Sequence, residues 1–318
     1  LPYTLLPDLP LNINGFSPQN YDLRFYGAVQ AADALARSLN VPAVHELREY
    51  GVPKFKDLLV KTGMTTLVRD AGDYGLSLIL GGAEGCLGEI TAAYAAMAGI
   101  LAYGDSVSYG DFPLKDRVAL WWTMDALKEV NRPDEMDWRL ISSVRKIAWK
   151  TGTSYGFRDA WAVGVTPEYA VGVWAGNASG EGVPGLTGAT AAGPVMFSIF
   201  HMLPVTDWFD FPYDADYVEA EVCTASGYLK GQFCDVCDTL RLPSAALRTR
   251  ACPYHSRVLV SPDGKYRVEA GAPDAVVRSV FRLPPAMEWY YRQHHPEYEP
   301  VPPFRAGTVA GGDRKSTR

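Results

Sequence analysis

The apolar positions along the chain follow two periods, and the change falls near residue 147. Upstream they recur at helical spacing. Val29, Ala32 and Leu35 share one face of "YGAVQAADALAR", which predicts a helix over 26–37. A second helix is predicted from Pro42, at a first-turn position that tolerates proline, to Tyr50, with Gly51 as its stop. Phe55, Leu58 and Leu59 mark a third that ends at Gly63, and "EITAAYAAMAGILAYG" (89–104) and Trp121 to Val130 give two more. The Pro-, Asn- and Asp-rich residues 1–25 predict an extended connector, and "RSLNVP" a loop between the first two helices.

Beyond Ile147 the period becomes two. "DAWAVGV" and "AVGVWAG" flank Thr166-Pro167-Glu168-Tyr169, a hairpin with a four-residue connection. "AWKTGTS" leads into this hairpin by a short turn and should lie beside it as a strand. A glycine-rich loop (176–188) and an apolar helix (189–203) follow. From about residue 206 the composition shifts to short strands, cysteines and turns, then to an aromatic, proline-rich stretch. Helices combined with an antiparallel hairpin predict an α+β fold and not a doubly wound parallel sheet. The expected organisation is a domain over 1–205, a cysteine-bearing β-rich region over 206–305 and a disordered tail over 306–318.

Composition narrows the function classes. The chain has 318 residues, 47% hydrophobic and 21% charged, the balance of a soluble globular protein. A net charge of -6 with no basic stripe excludes a nucleic-acid partner. No apolar run is long enough to cross a bilayer, and the start has no signal-peptide pattern.

Lys-Thr-Gly occurs twice. Lys61-Thr62-Gly63 closes a helix, where lysine suits the negative end of the dipole and glycine the left-handed cap. Lys150-Thr151-Gly152-Thr153-Ser154 belongs to a strand, where glycine marks the close approach of a ligand or another backbone. An edge strand of this kind accepts an extended peptide as an added strand, with Thr151 and Thr153 offering hydroxyls to a carboxylate and Lys150 a positive field. Upstream lies Ser38-Leu39-Asn40, by itself an ordinary pair of capping residues. Together the two sets match the second and third motifs of serine acyltransferases acting on D-Ala-D-Ala peptides and β-lactams.

Longer stretches extend the likeness. "FYGAVQAADALARSLNVPAVHEL", "LILGGAEGCLGEITAAYAAMAG" and "KTGTSYGFRDAWAVGVTPEYAVGVWAGN" resemble the transpeptidase domain of class A penicillin-binding proteins, and "LTGATAAGPVMFSIFHML" its closing helix. "CTASGYLKGQFC", "ACPYH" and "RLPPAMEWYYRQHHP" are similar to the region after that domain in members of the 1C type. The resemblance implies the transpeptidase fold shared with serine β-lactamases and acyl transfer between peptidoglycan stem peptides ending in D-Ala-D-Ala. It implies β-lactam binding, no cofactor, contact with other cell-wall synthesis proteins, and a periplasmic location behind an upstream glycosyltransferase domain and membrane anchor. Ser38 would relay a proton to the leaving amine with Lys150, and Asn40 would hold the substrate amide. Thr151 and Thr153 would bind the terminal carboxylate, the Thr153 N–H would form half of an oxyanion hole, and Gly152 and Ser154 would complete the substrate-binding strand.

The family's first motif, Ser-x-x-Lys, supplies the nucleophile and its base. Its one match here is Ser143-Val144-Arg145-Lys146, directly before the Lys150 strand, and it is expected to be a decoy. The chain alone is therefore expected to be inactive. Two other readings are a non-catalytic peptide- or partner-binding remnant and, disfavoured by the cysteine region, a serine β-lactamase. Cys223, Cys234, Cys237 and Cys252, with His255 beside the last, form either a disulfide framework or a zinc site. The extracytoplasmic setting implied by the resemblance favours two disulfides, with three pairings open and no metal. Cys86 is expected to be a small buried residue.

Overall fold

The computed structural model describes residues 1–130 and 145–305, so Ser143 and the tail over 306–318 lie outside the described residues. Where a connector was expected, β1 (Leu5–Asp8) pairs antiparallel with β2 (Gly27–Gln30), Leu5 opposite Gln30. The first helix is correspondingly shorter, α1 (Ala31–Ala36), because Ala28 and Val29 are buried in the ribbon. Next come α2 (Asn40–Tyr50) and α3 (Val52–Lys61), separated by Gly51 at φ 98°. A single turn α4 (Ala71–Tyr74) precedes the long α5 (Leu87–Tyr103) and then α6 (Arg117–Lys128). Asp116 caps α6 by accepting a 3.0 Å bond from the Ala119 N–H, satisfying one of the donors a helix start leaves open.

The central sheet is antiparallel in the order β3 (Ala148–Thr153), β4 (Asp159–Val165), β5 (Ala170–Gly176). Its register places Lys150, Val163 and Gly172 in one row and Trp149, Gly164 and Val171 in the next. Successive rows face opposite sides. Gly172 faces α5, where a Cβ would collide with the Thr91 hydroxyl. Gly164 faces α7 (Gly193–Met202), where a Cβ would sit 2.8 Å from the Met196 sulfur. The sheet is thus sandwiched between helices, and the fold is α+β. Trp149 is fully buried, its ring 4.9 Å from that of Phe197 and its N–H donating to the Val130 carbonyl at 3.2 Å. That one side chain, worth roughly 3 kcal/mol in burial, anchors β3 beside Lys150.

The C-terminal region consists of two two-stranded sheets, β6 (Tyr217–Cys223) with β7 (Cys237–Pro243) and β8 (His255–Val260) with β9 (Val276–Phe281), followed by α8 (Pro285–Tyr291). It leans on the start of the chain. Leu5, Ala28, Leu283 and Met287 share one core cluster, and the Leu5 N–H donates to the Ser226 carbonyl at 2.9 Å. Among the described residues no helix is long and apolar enough to cross a membrane.

Candidate functional site

Ser38 leaves α1 in the left-handed region, φ 56°, an uncommon place for serine, with its N–H held by the Leu35 carbonyl at 3.1 Å. That turn points the hydroxyl at β3. Lys150 Nζ donates to Ser38 Oγ at 2.6 Å and to the Thr151 carbonyl at 2.9 Å, joining residues 112 positions apart. Loss of water around the ammonium lowers the Lys150 pKa to about 8, so the amine is still mostly charged at neutral pH yet close to releasing its proton. A proton donor of this kind, bonded to a hydroxyl beside an outer strand, can both hold an anion and pass a proton.

The other expected residues divide. Asn40 is not in the loop but is the first residue of α2, and its amide donates to the Gln19 carbonyl at 2.8 Å. Thr151, Gly152 and Thr153 all lie on β3, one of the two outer strands of the three-stranded sheet. A Cβ at Gly152 would meet nothing nearer than the Trp161 Cβ at 3.4 Å, so the fold alone does not require glycine there. The bare backbone leaves room on that face of the strand. Thr153 Oγ1 accepts a 3.0 Å bond from the Gly188 N–H, which ties the glycine-rich loop to the strand. Ser154 lies past the strand and closes the turn, its hydroxyl accepting from the Asp159 N–H at 2.8 Å. Lys61 sits on the exposed end of α3, paired with Asp57 at 2.7 Å, well suited to its capping role.

Sequence reasoning missed the network behind Ser38. Asp8 and Asn20 are both buried, and the Asn20 amide donates to the two Asp8 carboxylate oxygens at 2.9 and 3.1 Å. Asn20 Oδ1 accepts from the Val41 N–H at 3.2 Å, while Asp8 also accepts from the Tyr26 N–H at 2.8 Å. Burial raises the Asp8 pKa, offset in part by these bonds. The network ties the β1–β2 ribbon to the first turn of α2, directly after Ser38. Nothing in a Pro- and Asn-rich stretch signals such a pairing.

The cysteines require correction. Cys223, Cys234, Cys237 and Cys252 are all free thiols, not two disulfides. Cys223, Cys234 and Cys252 converge on His255, while Cys237 stands outside that group. Their sulfurs lie around the imidazole nitrogen at hydrogen-bonding separations, whereas a disulfide needs sulfurs about 2.05 Å apart. Cys86, expected to be buried, is exposed at the start of α5.

No family model matches the chain. It is 36% identical over 207 residues to penicillin-binding protein 1C of Escherichia coli (strain K12), covering 64% of this chain and 27% of that protein. It is 32% identical over 179 residues to penicillin-binding protein 4 of Bacillus subtilis (strain 168), covering 51% of this chain and 28% of that protein. The chain thus spans little more than a quarter of the length of these relatives. Among solved structures, penicillin-binding protein 1A from Haemophilus influenzae superposes with a TM-score of 0.59 at 19% identity, covering 79% of this chain and 46% of that one. PonA1 from Mycobacterium tuberculosis gives 0.51 at 20% identity, covering 67% and 66%.

Proposed function

We propose that this chain, whose homologues are penicillin-binding proteins and whose fold is that of their transpeptidase domains, supplies the Ser-x-Asn and Lys-Thr-Gly side of a peptidoglycan D,D-transpeptidase site. The observation that carries this is the 2.6 Å bond from Lys150 Nζ to Ser38 Oγ. The substrate is a stem peptide ending in D-Ala-D-Ala, laid along the open edge of β3, and a β-lactam takes the same edge. Lys150 and the hydroxyls of Thr151 and Thr153 hold its terminal carboxylate. Thr153 Oγ1 accepts from the Gly188 N–H, which leaves its own proton to donate to that anion. The Lys150–Ser38 pair delivers a proton to the departing amine, and Asn40 holds the substrate amide. The Thr153 N–H steadies the oxyanion as it forms. Gly152 lets the peptide come close, and Ser154 keeps the following turn in place.

Acyl transfer also needs a nucleophilic serine facing this wall. Ser38 is the relay, bonded to Lys150 from the turn after α1. Ser143 stands directly upstream of β3 in the sequence, whereas the family's Ser-x-x-Lys lies well upstream of Ser-x-Asn. The nucleophile therefore belongs to a Ser-x-x-Lys that the 318 residues do not contain at the required place. The whole protein carries a glycosyltransferase domain and an anchor that hold this site on the extracytoplasmic face of the membrane, alongside other cell-wall synthesis proteins. The transpeptidase part ends near residue 205, and residues 206–305 form an appended region.

A fluorescent penicillin tests this. The 318-residue chain should form no covalent adduct, and a version extended upstream through a Ser-x-x-Lys should label readily. An adduct on the shorter chain that maps to Ser143 would show that the nucleophile had been misplaced, and an extended protein that stays unlabelled would remove the transpeptidase assignment.

A further inference from the structure

The C-terminal region brings together three thiols and one imidazole from three separate segments. Cys223 ends β6, Cys234 lies in the turn before β7, and Cys252 and His255 flank the start of β8. The four ligand atoms all lie within 4.8 Å of one another. His255 Nδ1 is 3.5 Å from the Cys223 sulfur, 3.5 Å from that of Cys234 and 3.4 Å from that of Cys252. Three near-equal separations from one nitrogen, with all four ligand atoms inside 4.8 Å, suit a tetrahedral set with that nitrogen at one corner. With zinc–sulfur bonds of about 2.3 Å and zinc–nitrogen bonds of about 2.0–2.1 Å, the sulfur-to-nitrogen edge of such a tetrahedron is about 3.5–3.6 Å.

We propose that Cys223, Cys234, Cys252 and His255 bind one zinc ion as a closed Cys3His site that clamps the β6–β7 sheet to the β8–β9 sheet. Several observations agree with this set. An odd number of thiols cannot be consumed by disulfides within the cluster: one bridge would strand the third sulfur and give His255 no part. Zinc uses all four groups. Soft thiolates with an imidazole in tetrahedral array select zinc over hard cations, which prefer oxygen. The sulfurs also receive hydrogen bonds suited to thiolates, from Ser226 Oγ to Cys252 at 3.1 Å and from the Gly231 N–H to Cys234 at 3.3 Å. Such outer bonds orient ligands and disperse their charge. Cys237, although it is the register partner of Cys223 across the two strands, is not one of the four.

With four protein ligands no position remains for water or substrate, so the ion is structural. Its place in the fold gives that role content. Two-stranded sheets are marginal alone, and this clamp joins two of them. The turn after Cys223 also receives the start of the chain, through Leu5 N–H to Ser226 at 2.9 Å and Thr4 Oγ1 to the Gly227 carbonyl at 3.0 Å. The ion therefore also steadies the ribbon that carries Asp8.

The full 318-residue chain, purified with reductant and dialysed, should retain one zinc per chain by elemental analysis. Cobalt added to the stripped protein should give thiolate-to-cobalt charge-transfer bands and the intense visible bands of a tetrahedral ion. Alkylation followed by mass spectrometry should modify Cys86 and Cys237 quickly and the other three slowly, with a chelator abolishing the difference. Cys234→Ser and His255→Ala should weaken metal binding by at least about 10–100-fold, and Cys237→Ser should leave it unchanged. The thiol-protection pattern is read on the unmutated protein, so a variant that fails to fold does not blunt the test. Two disulfides without metal in protein recovered from an oxidising compartment, equal alkylation of all five thiols in the presence of zinc, or loss of zinc in Cys237→Ser would each overturn the site.

Discussion

Strand β3 reaches Ser38 from within a large apolar core, whereas β6 and β8 meet across a cluster of thiols with little hydrophobic mass behind them. Around β3 the core includes Trp149, Phe197, Phe200, Met196, Met124 and Leu101, all buried, with helices on both sides of the sheet. Around β6 the buried set shrinks to Val222, Leu242 and Ala246. The contrast shows two ways of fixing a polar group. A lysine held at 2.6 Å from a hydroxyl contributed by a distant turn needs a strand that cannot shift, and interlocked aromatic packing supplies that rigidity. A small β-rich region lacks the volume for such a core and relies on cross-links through side chains instead.

The largest effect should come from cutting the contact itself. In the upstream-extended protein, Lys150→Ala should slow penicillin labelling by about a thousandfold or more, while Lys61→Ala leaves it within about twofold. Equal loss in both variants, followed by labelling time courses, would mean that position on β3 does not distinguish the two lysines.

Packing comes next. Trp149→Ala should cost about 3–5 kcal/mol and Leu242→Ala about 2 kcal/mol in denaturant unfolding, since a small cluster holds fewer neighbours against the deleted atoms. Equal losses would erase the difference between the two regions.

The pH dependence of the extended protein sharpens the role of the core around Lys150. Its pKa is lowered to about 8 by desolvation, so the second-order labelling rate should fall about tenfold per pH unit above that value, as the charged form is lost from the free protein. The stability sign is the reverse. A lysine whose folded pKa lies below its ordinary 10.5 destabilises the fold while both states are charged. That penalty is relieved between pH 8 and 10.5, so unfolding free energy from this group rises with pH there. A labelling rate flat to pH 10 would exclude Lys150 from the step measured.

The smallest effect concerns the loop. Thr153→Val removes the acceptor for the Gly188 N–H and should cost about 1 kcal/mol, seen as faster amide exchange at Gly188 with β6 to β9 unchanged. Exchange that speeds equally in both regions would indicate that they open as one unit.

Much of the site's supporting architecture was legible because it is local. Alternation over 159–165 and 170–176, with a four-residue turn between them, specifies the hairpin, and the glycine in "KTGT" marks its neighbour as a strand open to a ligand. The two Lys-Thr-Gly copies separate on context alone, one at a helix end and one in a period-two segment. The resemblance carried by longer stretches led to the same α+β fold. Some boundaries slipped for reasons visible in the structure. Val29 and Ala32 fit a helical face, yet pairing with β1 captures residues 27–30 as strand before α1 can begin. Pro42 suits a helix start, yet α2 already begins at Asn40.

By itself, then, the sequence determined the central hairpin, the charged strand beside it and the existence of most of the helices, because these depend on neighbours within a few residues. Tertiary structure decided that Ser38 meets Lys150, which the resemblance implied and no spacing rule specifies, that Asp8 and Asn20 fasten the ribbon to α2, and that His255 joins three thiols while Cys237 is left aside. Each of these joins groups far apart in the chain. Spacing along a polymer leaves such a pairing open among many alternatives, and only the packing of the whole chain selects one.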